Sequence, residues 1–333
     1  MPTYNVAPYV REAIESVLRQ TYRDFELLVI DDCSTDNTVE VVRSIEDARI
    51  RIVQNGKNVG LAENLNRGLS FITTEYVARM DGDDIAEPFW LEKEVAVLDA
   101  NSEIGICSGG FERFGTVKSL VRFPEHHEDC MANMLFECSV IVPTFRMSLY
   151  RDHGLRYSTD AFPAEDYRFW AECLRFTKIY NIQETLFHYR MHPTQICTAR
   201  KEEQQLKVAR VRRYMLEWLS PDFTEAEKQY YVGPFMASMI ASKQDLRERK
   251  AFVQKIVKEN RCVGHFEEKA LRRRLDKHLI LTIYGTVVDC YFKQGYSVLC
   301  YWRYLAGGLA FKTNCHYEIR FLLKSLLGKK TVL

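Results

Sequence analysis

Residues 78–88 read ARMDGDDIAEP and place three aspartates within four positions, directly after an apolar run that is typical of a buried strand. Like charges this close repel one another, so Asp81, Asp83 and Asp84 need a compensating partner. A divalent cation is the simplest such partner, since Mg²⁺ and Mn²⁺ prefer carboxylate and water ligands. The stretch therefore indicates a strand that ends in a candidate metal-binding loop.

Around this loop, apolar runs typical of strands alternate with segments of helical periodicity. The predicted strands are FELLVIDD (residues 25–32), RIRIVQN (49–55), EYVARM (75–80) and IGICSGG (104–110). Helices are predicted from Pro8, after Ser34, in LAENLNRGLS (61–70) and in FWLEKEVAVLD (89–99). This alternation indicates parallel βαβ units, hence an α/β fold with an open, mostly parallel sheet flanked by helices.

Two acidic segments, Asp31-Asp32 and Asp81 to Asp84, fall at the carboxyl ends of predicted strands. Ligands of open α/β sheets bind beyond these strand ends. The two acidic segments are therefore expected to face one crevice.

The composition excludes several classes of protein. Lys and Arg number 46 against 45 Asp and Glu, so the chain lacks the broad basic surface of a nucleic-acid-binding protein. The ten cysteines contain no C-x-x-C pair, which argues against a zinc ribbon or a disulfide framework and favours a reducing environment. The amino end has no signal-peptide pattern, and no apolar run approaches the ~20 residues that cross a bilayer. A cytoplasmic protein is expected, with at most peripheral contact with the inner face of the membrane.

Residues 201–333 differ in character and are predicted to form a separate helical region. Such a region could associate with a membrane or mediate oligomerisation. Near its end, IRFLLKSLLGKK (319–330) could lie on an anionic membrane surface, although amphipathic helices more often pack on a protein core. Its apolar residues Phe321, Leu322, Leu326 and Leu327 alternate with Arg320, Lys324, Lys329 and Lys330.

The main domain, residues 1–200, begins with MPTYN. This stretch has the pattern of the end of a strand whose apolar body should precede Met1. The first strand of the sheet is therefore expected to be truncated.

The segment FPAEDYRFWAECLRF (162–176) predicts a helix that begins with two acids, Glu165 and Asp166. The positive end of a helix stabilises an ionised carboxylate, whereas neighbouring aromatic residues desolvate it and raise its pKa. These opposing effects could leave a carboxylate suited to act as a general base. Two acids also favour the start of a helix without any catalytic role, so the pattern alone leaves both interpretations open.

Five ordered blocks resemble the family 2 glycosyltransferases of the GT-A fold. They are MPTYNVAPYVREAIESVLRQTYRDFELLVIDDCSTDNT (1–38), NVGLAENLNRGL (58–69), EYVARMDGDD (75–84), AEDYRFW (164–170) and LFHYRMHPTQIC (186–197). The resemblance covers about residues 1–198 and implies a GT-A catalytic domain over residues 1–200. It also implies a nucleotide-diphosphate sugar donor, usually with uridine, a divalent Mn²⁺ or Mg²⁺ ion, and inversion at the anomeric carbon.

The resemblance implies roles for individual residues. Asp166 matches the catalytic base, with Glu165 as a helper, and Asp83 and Asp81 form the D-x-D pair that binds the metal. Asp32 would accept a hydrogen bond from the uracil imide. His192 would lie near the diphosphate and Arg190 near Asp166, and both would act on the donor side. The donor-binding set as a whole is Thr3, Tyr4, Asn5, Asp32, Asn58, Gly60, Asn64, Asp81, Gly82, Arg190 and His192.

One position departs from the family pattern. Cys33 stands where a glycine usually follows the two aspartates. The resemblance therefore does not give the geometry of that turn.

The chemistry of the acidic loop agrees with these assignments. Departure of a sugar from a nucleotide diphosphate concentrates charge on the pyrophosphate oxygens, which a bridging divalent ion would stabilise. Asp83 is the expected ligand, Asp81 is expected to contact the ribose or the metal through water, and Asp84 would orient the loop. Gly82 would let the phosphate approach the backbone. The alternative for an isolated D-x-D is a solvated acidic turn that caps the next helix.

The histidines give a weaker signal. His188 and His192 are four residues apart, which on a helix would suit a metal, but Pro193 argues against a helix there. His126 and His127 lie in a polar loop and receive no function.

The leading hypothesis is a metal-dependent inverting glycosyltransferase of cell-surface polysaccharide synthesis, acting on a saccharide or lipid-linked acceptor. A nucleotidyltransferase would need a triphosphate loop rich in Gly, Lys or Arg, which PTYNVAPYV (2–10) is not. No G-x-G-x-x-G opens the first helix, which counts against a nicotinamide dehydrogenase. A catalytically inactive sugar-nucleotide-binding or partner protein of a glycan assembly complex is the other alternative, against which the intact acids argue.

Overall fold

The computed structural model describes residues 1–192, 195, 199–293, 295–306 and 315–328. Its chain divides into two compact units, Met1–Met215 and Leu216–Leu333. Lys329 and Lys330 of the predicted amphipathic helix lie outside the described residues. So do Pro193 and residues 194, 196 and 197 of the fifth sequence block.

The first unit begins with three parallel strands. β1 (Pro2–Thr3) and β3 (Ile50–Gln54) pair on either side of β2 (Leu27–Asp31). Helices α1 (Val10–Leu18) and α2 (Thr38–Arg43) connect the three strands. The predicted alternation of strands and helices is confirmed for this part of the chain.

α1 shows how the sequence produces this arrangement. Its residues Val10, Ala13, Ile14 and Val17 recur at spacings of three and four and are buried in one core with Val29 of β2. Burial of a large aliphatic side chain contributes roughly 1.5–3 kcal/mol before the entropy of ordering is subtracted. This packing fixes α1 against the strand that leads to the first acidic segment.

A second sheet follows, with the strand order β4-β8-β6-β9-β5 and with β7 paired to β6. In the described residues β6 and β9 run parallel, whereas β4 with β8, β5 with β9, and β6 with both β7 and β8 pair antiparallel. The strands are β4 Tyr76–Ala78, β5 Ile85–Ala86, β6 Ile104–Gly115, β7 Ser119–Val121, β8 Thr144–Arg146 and β9 Lys178–Met191. Five further α-helices occur between the described strands of this unit. They are α3 Leu61–Phe71, α4 Trp90–Ala100, α5 His127–Asn133, α6 Ser148–Arg151 and α7 Glu165–Cys173.

The mixed α/β class with helices flanking the sheets is confirmed. The sequence predicted a mostly parallel sheet. Among the described strands, parallel pairing is found for β1 to β3 and for β6 with β9, and the other pairs are antiparallel. Local periodicity gives the existence of a strand but not its direction. The strands that run antiparallel to their neighbours include β5, of two residues, and β8, of three, which are too short to leave a periodic signal.

The second unit is helical, which confirms the predicted helical region at the C-terminal end. It comprises the end of α8 (Lys201–Leu219) and the helices α9 Glu225–Val232, α10 Lys243–Val263, α11 Glu268–Val287, α12 Val298–Ala306 and α13 Cys315–Leu326. One of its cores is rich in aromatic residues, among them Phe292, Tyr304 and Phe321. This core holds α11, α12 and α13 together.

Two predictions made for the whole chain can be examined in its described part. There, no helix combines the length and apolar character that crossing a membrane requires. The cysteines whose side chains are described are free thiols, in agreement with the predicted lack of a disulfide framework.

A buried acid, Glu94, ties α4 to β8. Its Oε2 accepts hydrogen bonds from the backbone N–H and the hydroxyl of Thr144, both at 2.7 Å. Burial raises the pKa of Glu94 well above its ordinary value, although the bonds from Thr144 lower it in part. The folded protein therefore holds the proton of Glu94 more tightly than the unfolded chain does.

From this difference we predict the pH dependence of a Glu94→Gln variant. In the native protein the contribution of Glu94 to the free energy of unfolding decreases as the pH rises from about 4.3, the ordinary pKa of Glu, towards the raised folded pKa. The amide side chain of the variant does not titrate and can still accept both bonds from Thr144. Urea denaturation from pH 5 to pH 8 should give the variant a smaller loss of stability with rising pH. Glu46→Gln, at an exposed position, is the control; equal slopes for all three proteins would contradict the prediction.

Candidate active site

The acidic loop lies between β4 and β5 and is anchored by the end of β9. β5 pairs with β9 so that Ile85 faces His188. From β9, the backbone N–H of Arg190 donates to Asp84 Oδ1 at 2.9 Å, and Arg190 Nε donates to the carbonyl oxygen of Asp83 at 2.8 Å. Pairing of the two strands therefore fixes the position of the loop that the sequence singled out.

Asp84 is an anchor of this loop. Its side chain is buried, and Oδ2 has no hydrogen-bond partner among the described residues. Burial, reinforced by the charges of Asp83 and Asp81, raises the pKa of Asp84 well above its ordinary value. The bond from the backbone N–H of Arg190 holds this carboxyl group in the loop, and the raised pKa means that Asp84 keeps its proton to a higher pH than an ordinary aspartate does.

Asp83 and His192 form the first polar pair of the site. His192 Nε2 lies 3.0 Å from Asp83 Oδ2, and the two side chains retain 13% and 19% of their exposure. The imidazole ring also packs against Tyr9, with ring centroids 4.9 Å apart. The structure thus brings together the predicted metal ligand and the histidine predicted to lie near the diphosphate.

The chemistry of this pair fits a divalent ion. A carboxylate oxygen and an imidazole nitrogen are ligands that Mn²⁺ accepts, and Mg²⁺ and Mn²⁺ at phosphate sites usually take few protein ligands beside substrate and water oxygens. Within the described residues no three His, Cys, Asp or Glu side chains are grouped as a complete ion site. Asp83 and His192 could therefore hold a metal only together with a phosphate-bearing ligand.

Arg79 connects the acidic loop to the start of α7. Its Nη2 lies 2.9 Å from Asp81 Oδ1 and its Nη1 lies 3.2 Å from Asp166 Oδ2. Burial alone would lower the pKa of Arg79, but the carboxylates of Asp81 and Asp166 raise it above its ordinary value. The guanidinium is therefore a fixed positive charge between the D-x-D loop and the predicted catalytic base.

The charge of Asp81 reflects this environment. Partial burial raises the pKa of Asp81 to about 6; Arg79 lowers it in part, while Asp83 and Asp166 raise it. Asp81 and Asp166 thus influence one another through the arginine that both contact. The two acidic elements predicted from separate sequence blocks face the same site.

The arginine that contacts Asp166 is Arg79. The resemblance placed Arg190 near Asp166, which stays a prediction. Arg190 Nη2 contacts Glu12 Oε2 at 2.6 Å and its guanidinium lies over the ring of Phe114. A sequence signal for the contact of Arg79 with Asp81 existed: Arg79 precedes Asp81 by two positions, and residues two apart in an extended segment point to the same side.

Glu165 is the first residue of α7, as predicted, and is buried beside Asp166. Its side chain is 3% exposed, and Oε2 has no hydrogen-bond partner among the described residues. Burial, reinforced by the charge of Asp166, raises the pKa of Glu165 to about 8. Desolvation thus outweighs the stabilising effect of the helix end, and Glu165 is a neutral carboxylic acid near pH 7.

A second cluster lies at the end of β2 and is centred on Asp32. Its Oδ1 accepts from Asn55 Nδ2 and from the N–H of Val59, both at 2.9 Å, and its Oδ2 accepts from the N–H of Gly60 at 2.8 Å. Gly60 has φ of 85°, a backbone conformation that favours glycine. A carboxylate has about four acceptor positions, so Asp32 keeps about one for a ligand.

Asn64 is bonded inside the protein, next to the Asp32 cluster. Its side chain is 1% exposed, its Nδ2 donates to the carbonyl oxygen of Ile30, and its Oδ1 accepts from Asn55 Nδ2. A direct contact of Asn64 with the donor stays a prediction. Asn64 holds Asn55, which in turn holds Asp32, and no pattern of charges in the sequence marks such a buried amide chain.

The other predicted nucleotide residues lie at the end of β1 and, for Asn58, between β3 and α3. Tyr4 and Asn58 are exposed, whereas Thr3 is buried and donates to Asp31 Oδ1 at 3.2 Å. Asn5 Oδ1 accepts from the N–H of Thr35 at 2.8 Å. Of these residues, Tyr4, Asn5 and Asn58 are exposed and therefore accessible to a ligand.

Gly82 lets the acidic loop pack against the end of β1. A Cβ atom at this position would lie 3.0 Å from Thr3 Cγ2 and 3.3 Å from Val6 Cγ2, which is tighter than ordinary van der Waals contact. The sequence predicted glycine here for the approach of a phosphate. The structure adds a second reason, which is the contact of the acidic loop with the end of β1.

Cys33 resolves the turn that the sequence left open. Its φ is 62°, in the left-handed region that glycine occupies without strain. The turn after the two aspartates therefore keeps the glycine-type conformation although the residue is cysteine.

His188 does not join His192 in a metal site. It lies within β9, where Nε2 is 2.8 Å from Glu87 Oε1 and Nδ1 is 3.5 Å from Glu112 Oε2. The expectation that this segment is not helical is confirmed.

Comparison with known proteins assigns the chain to a family. The family model described as glycosyl transferase family 2 matches residues 1–159. An uncharacterized glycosyltransferase of Haemophilus influenzae is 36% identical over 225 residues, which cover 63% of this chain and 70% of that protein. The chain belongs to glycosyl transferase family 2. A second relative of this glycosyltransferase, the putative glycosyltransferase EpsE of Bacillus subtilis, is 36% identical over 203 residues, or 57% of this chain and 71% of EpsE.

Solved structures support the fold of this glycosyltransferase. S. aureus TarS 1–349 in complex with UDP-GlcNAc aligns with a TM-score of 0.58 at 19% identity, covering 85% of this chain and 84% of TarS 1–349. The mannosyltransferase PcManGT from Pyrobaculum calidifontis, in complex with GDP-Man and Mn²⁺, aligns with a TM-score of 0.52 at 16% identity, covering 87% and 86%. These similarities show a shared GT-A fold.

For this glycosyltransferase, a double-mutant cycle tests the bridge through Arg79. Arg79→Met should lower the free energy of unfolding by about 2 kcal/mol, between the values for exposed and fully buried ion pairs, because Asp81 and Asp166 keep 30% and 35% of their side-chain exposure. Arg79→Met combined with Asp166→Asn should lose less than the sum of the single variants, as chemical denaturation can measure. Additive losses would show that the two side chains do not interact in solution.

Proposed function

We propose that this protein is a metal-dependent inverting glycosyltransferase of cell-surface polysaccharide synthesis, working in the cytoplasm or on the inner face of the membrane. It transfers a sugar from a nucleotide-diphosphate donor, most simply a UDP-sugar, to a saccharide or lipid-linked acceptor. The observation that carries the proposal is the contact of Arg79 with both Asp81 and Asp166. Through this contact, the D-x-D loop and the carboxylate of Asp166 at the start of α7 bind the same guanidinium. A direct displacement needs the donor site and the base to be this close to one another.

Asp83 and His192 are the residues that would hold Mn²⁺ or Mg²⁺. The ion, when bound, neutralises charge on the diphosphate leaving group. Asp81, held by Arg79, then faces the ribose side of the donor. Asp84 and Arg190 keep the loop in position through contacts that need no ligand.

Asp166 is the proposed base. A carboxylate within hydrogen-bond reach of an acceptor hydroxyl can take up its proton as the new bond forms, which contributes roughly 10²–10⁴ in rate. Arg79 Nη1 orients Oδ2 of Asp166, and a protonated Glu165 adds no competing negative charge beside it. Direct attack by the acceptor needs one base and no covalent nucleophile, and such a single displacement inverts the anomeric carbon.

The Asp32 cluster supports uracil as the base of the donor. With three internal donors bound, Asp32 has about one acceptor position left, which matches the single N–H of the uracil imide. Guanine presents an amino group next to its ring N–H, so the same edge would need two acceptors. TarS, which was solved with UDP and UDP-GlcNAc, shares the fold, as does PcManGT, which was solved with GDP-Man.

The catalytic roles predict the effect of two substitutions. With Mn²⁺, a panel of UDP-sugars and glycan acceptors, release of UDP should fall by about 10²–10⁴ in Asp166→Asn, because the acceptor proton has no base. Asp83→Ala should lose metal-dependent release. Asp24→Asn, at an exposed position, is the control. Undiminished release in both site variants would remove these roles, and an anomeric product that retains the donor configuration would remove the single displacement.

Nucleotide binding without turnover would favour the other hypothesis, an inactive sugar-nucleotide-binding protein. This outcome requires that calorimetry detects UDP binding while no acceptor in the panel supports release. The turnover assay and the binding assay therefore separate the two functions.

Base selection gives an independent prediction. UDP should bind roughly 5- to 150-fold more tightly than GDP, since a missing acceptor for a buried donor costs roughly 1–3 kcal/mol. Titration calorimetry with both nucleotides in the presence of Mn²⁺ measures the ratio. Equal affinities, or a preference for GDP, would overturn the assignment of Asp32 to a uracil imide.

A further inference from the structure

Exposed apolar side chains concentrate on the last two helices of the chain. Of the 17 large apolar residues that are exposed in the described part, eight lie on or directly beside α12 and α13. Those on α12 are Val298, Leu299 and Trp302, which is 65% exposed. Those on and after α13 are Ile319, Leu322, Leu323, Leu326 and Leu327. We call these eight side chains the outward apolar face.

The spacing on α13 shows that this face is distinct from the one that packs in the core. Ile319, Leu322, Leu323 and Leu326 are separated by three, four and seven positions and share one side of the helix. Phe321, which the sequence analysis grouped with the membrane-facing residues, is instead fully buried in the core. α13 is therefore apolar on two sides, and the core covers one of them.

α12 has the same division. Tyr304 is fully buried, packs 5.4 Å from the ring of Phe321 and donates a hydrogen bond to Glu318. Val298, Leu299 and Trp302 lie on the opposite side of the helix. Because Tyr304 and Phe321 enter one shared core, the outward sides of both helices face away from that core.

The charges around the outward apolar face are basic. Arg303 on α12 and Arg320 on α13 are exposed. Glu318 is the one acid in the two helices as described, and it is buried against Tyr304. An exposed apolar surface with Trp and Arg at its border, and with no exposed acid on either helix as described, matches the interfacial region of an anionic bilayer.

A second copy of the chain fits this face less well. A two-fold interface places the same patch of both copies together, so Arg303 and Arg320 would meet their own equivalents with no exposed acid of these helices to pair with. We propose that the outward apolar face binds peripherally to the surface of an anionic membrane. The inference is independent of the catalytic proposal and, if both hold, brings the enzyme to a lipid-linked acceptor.

The test is co-sedimentation of the full chain with vesicles. We expect binding to vesicles in which phosphatidylglycerol supplies about a third of the lipid, and weaker binding to phosphatidylcholine alone. Leu323→Glu combined with Leu326→Glu should reduce the bound fraction at least about tenfold, because two charges would enter the apolar layer. Arg303→Glu combined with Arg320→Glu should weaken binding to the anionic vesicles by about fivefold or more for each residue.

Leu206→Glu is the matched control, since Leu206 is 69% exposed on α8. It should bind vesicles as the native chain does, and all variants should unfold at the native temperature. No binding above the level without lipid, or binding that the leucine variants retain, would overturn the proposal. So would a lipid-free dimer in light scattering that Leu323→Glu dissociates, because that result assigns the face to a second copy.

Discussion

The buried guanidinium of Arg79 allows the carboxyl groups at this site to lie close together. Asp81 and Asp166 contact it directly, at 2.9 Å and 3.2 Å. Without a positive charge at this point, the D-x-D loop and the start of α7 would repel one another. The sequence pointed to a metal ion as the partner of the clustered aspartates, and the structure shows that part of the compensation is supplied by the protein itself.

The three aspartates of the loop meet their repulsion in three different ways. Asp81 pairs with Arg79, Asp84 is buried with a raised pKa, and Asp83 contacts His192. Asp83 is therefore the loop carboxylate that remains suited to a ligand. These three environments reduce the repulsion among the aspartates, so the loop can fold without a metal ion or a donor.

The part of the fold that depends on local periodicity could be predicted from the sequence. α1 and β2 follow from apolar spacing, and the acidic loop follows from its position after a strand. The antiparallel pairing of β5 with β9 could not be predicted, because strand direction depends on contacts between residues about a hundred positions apart. The contact of Arg79 with Asp166 could not be predicted for the same reason, because it joins residues 87 positions apart.

The end of β9 holds the acidic loop through two residues that are only two positions apart. Arg190 binds the backbone of Asp83 and the side chain of Asp84, and His192 binds the side chain of Asp83. Arg190 lies in the last two residues of β9, and His192 follows the strand directly, so all these contacts come from three consecutive positions. The acidic loop is therefore held by one short segment of the chain. A displacement of that segment would remove the contacts of both Asp83 and Asp84.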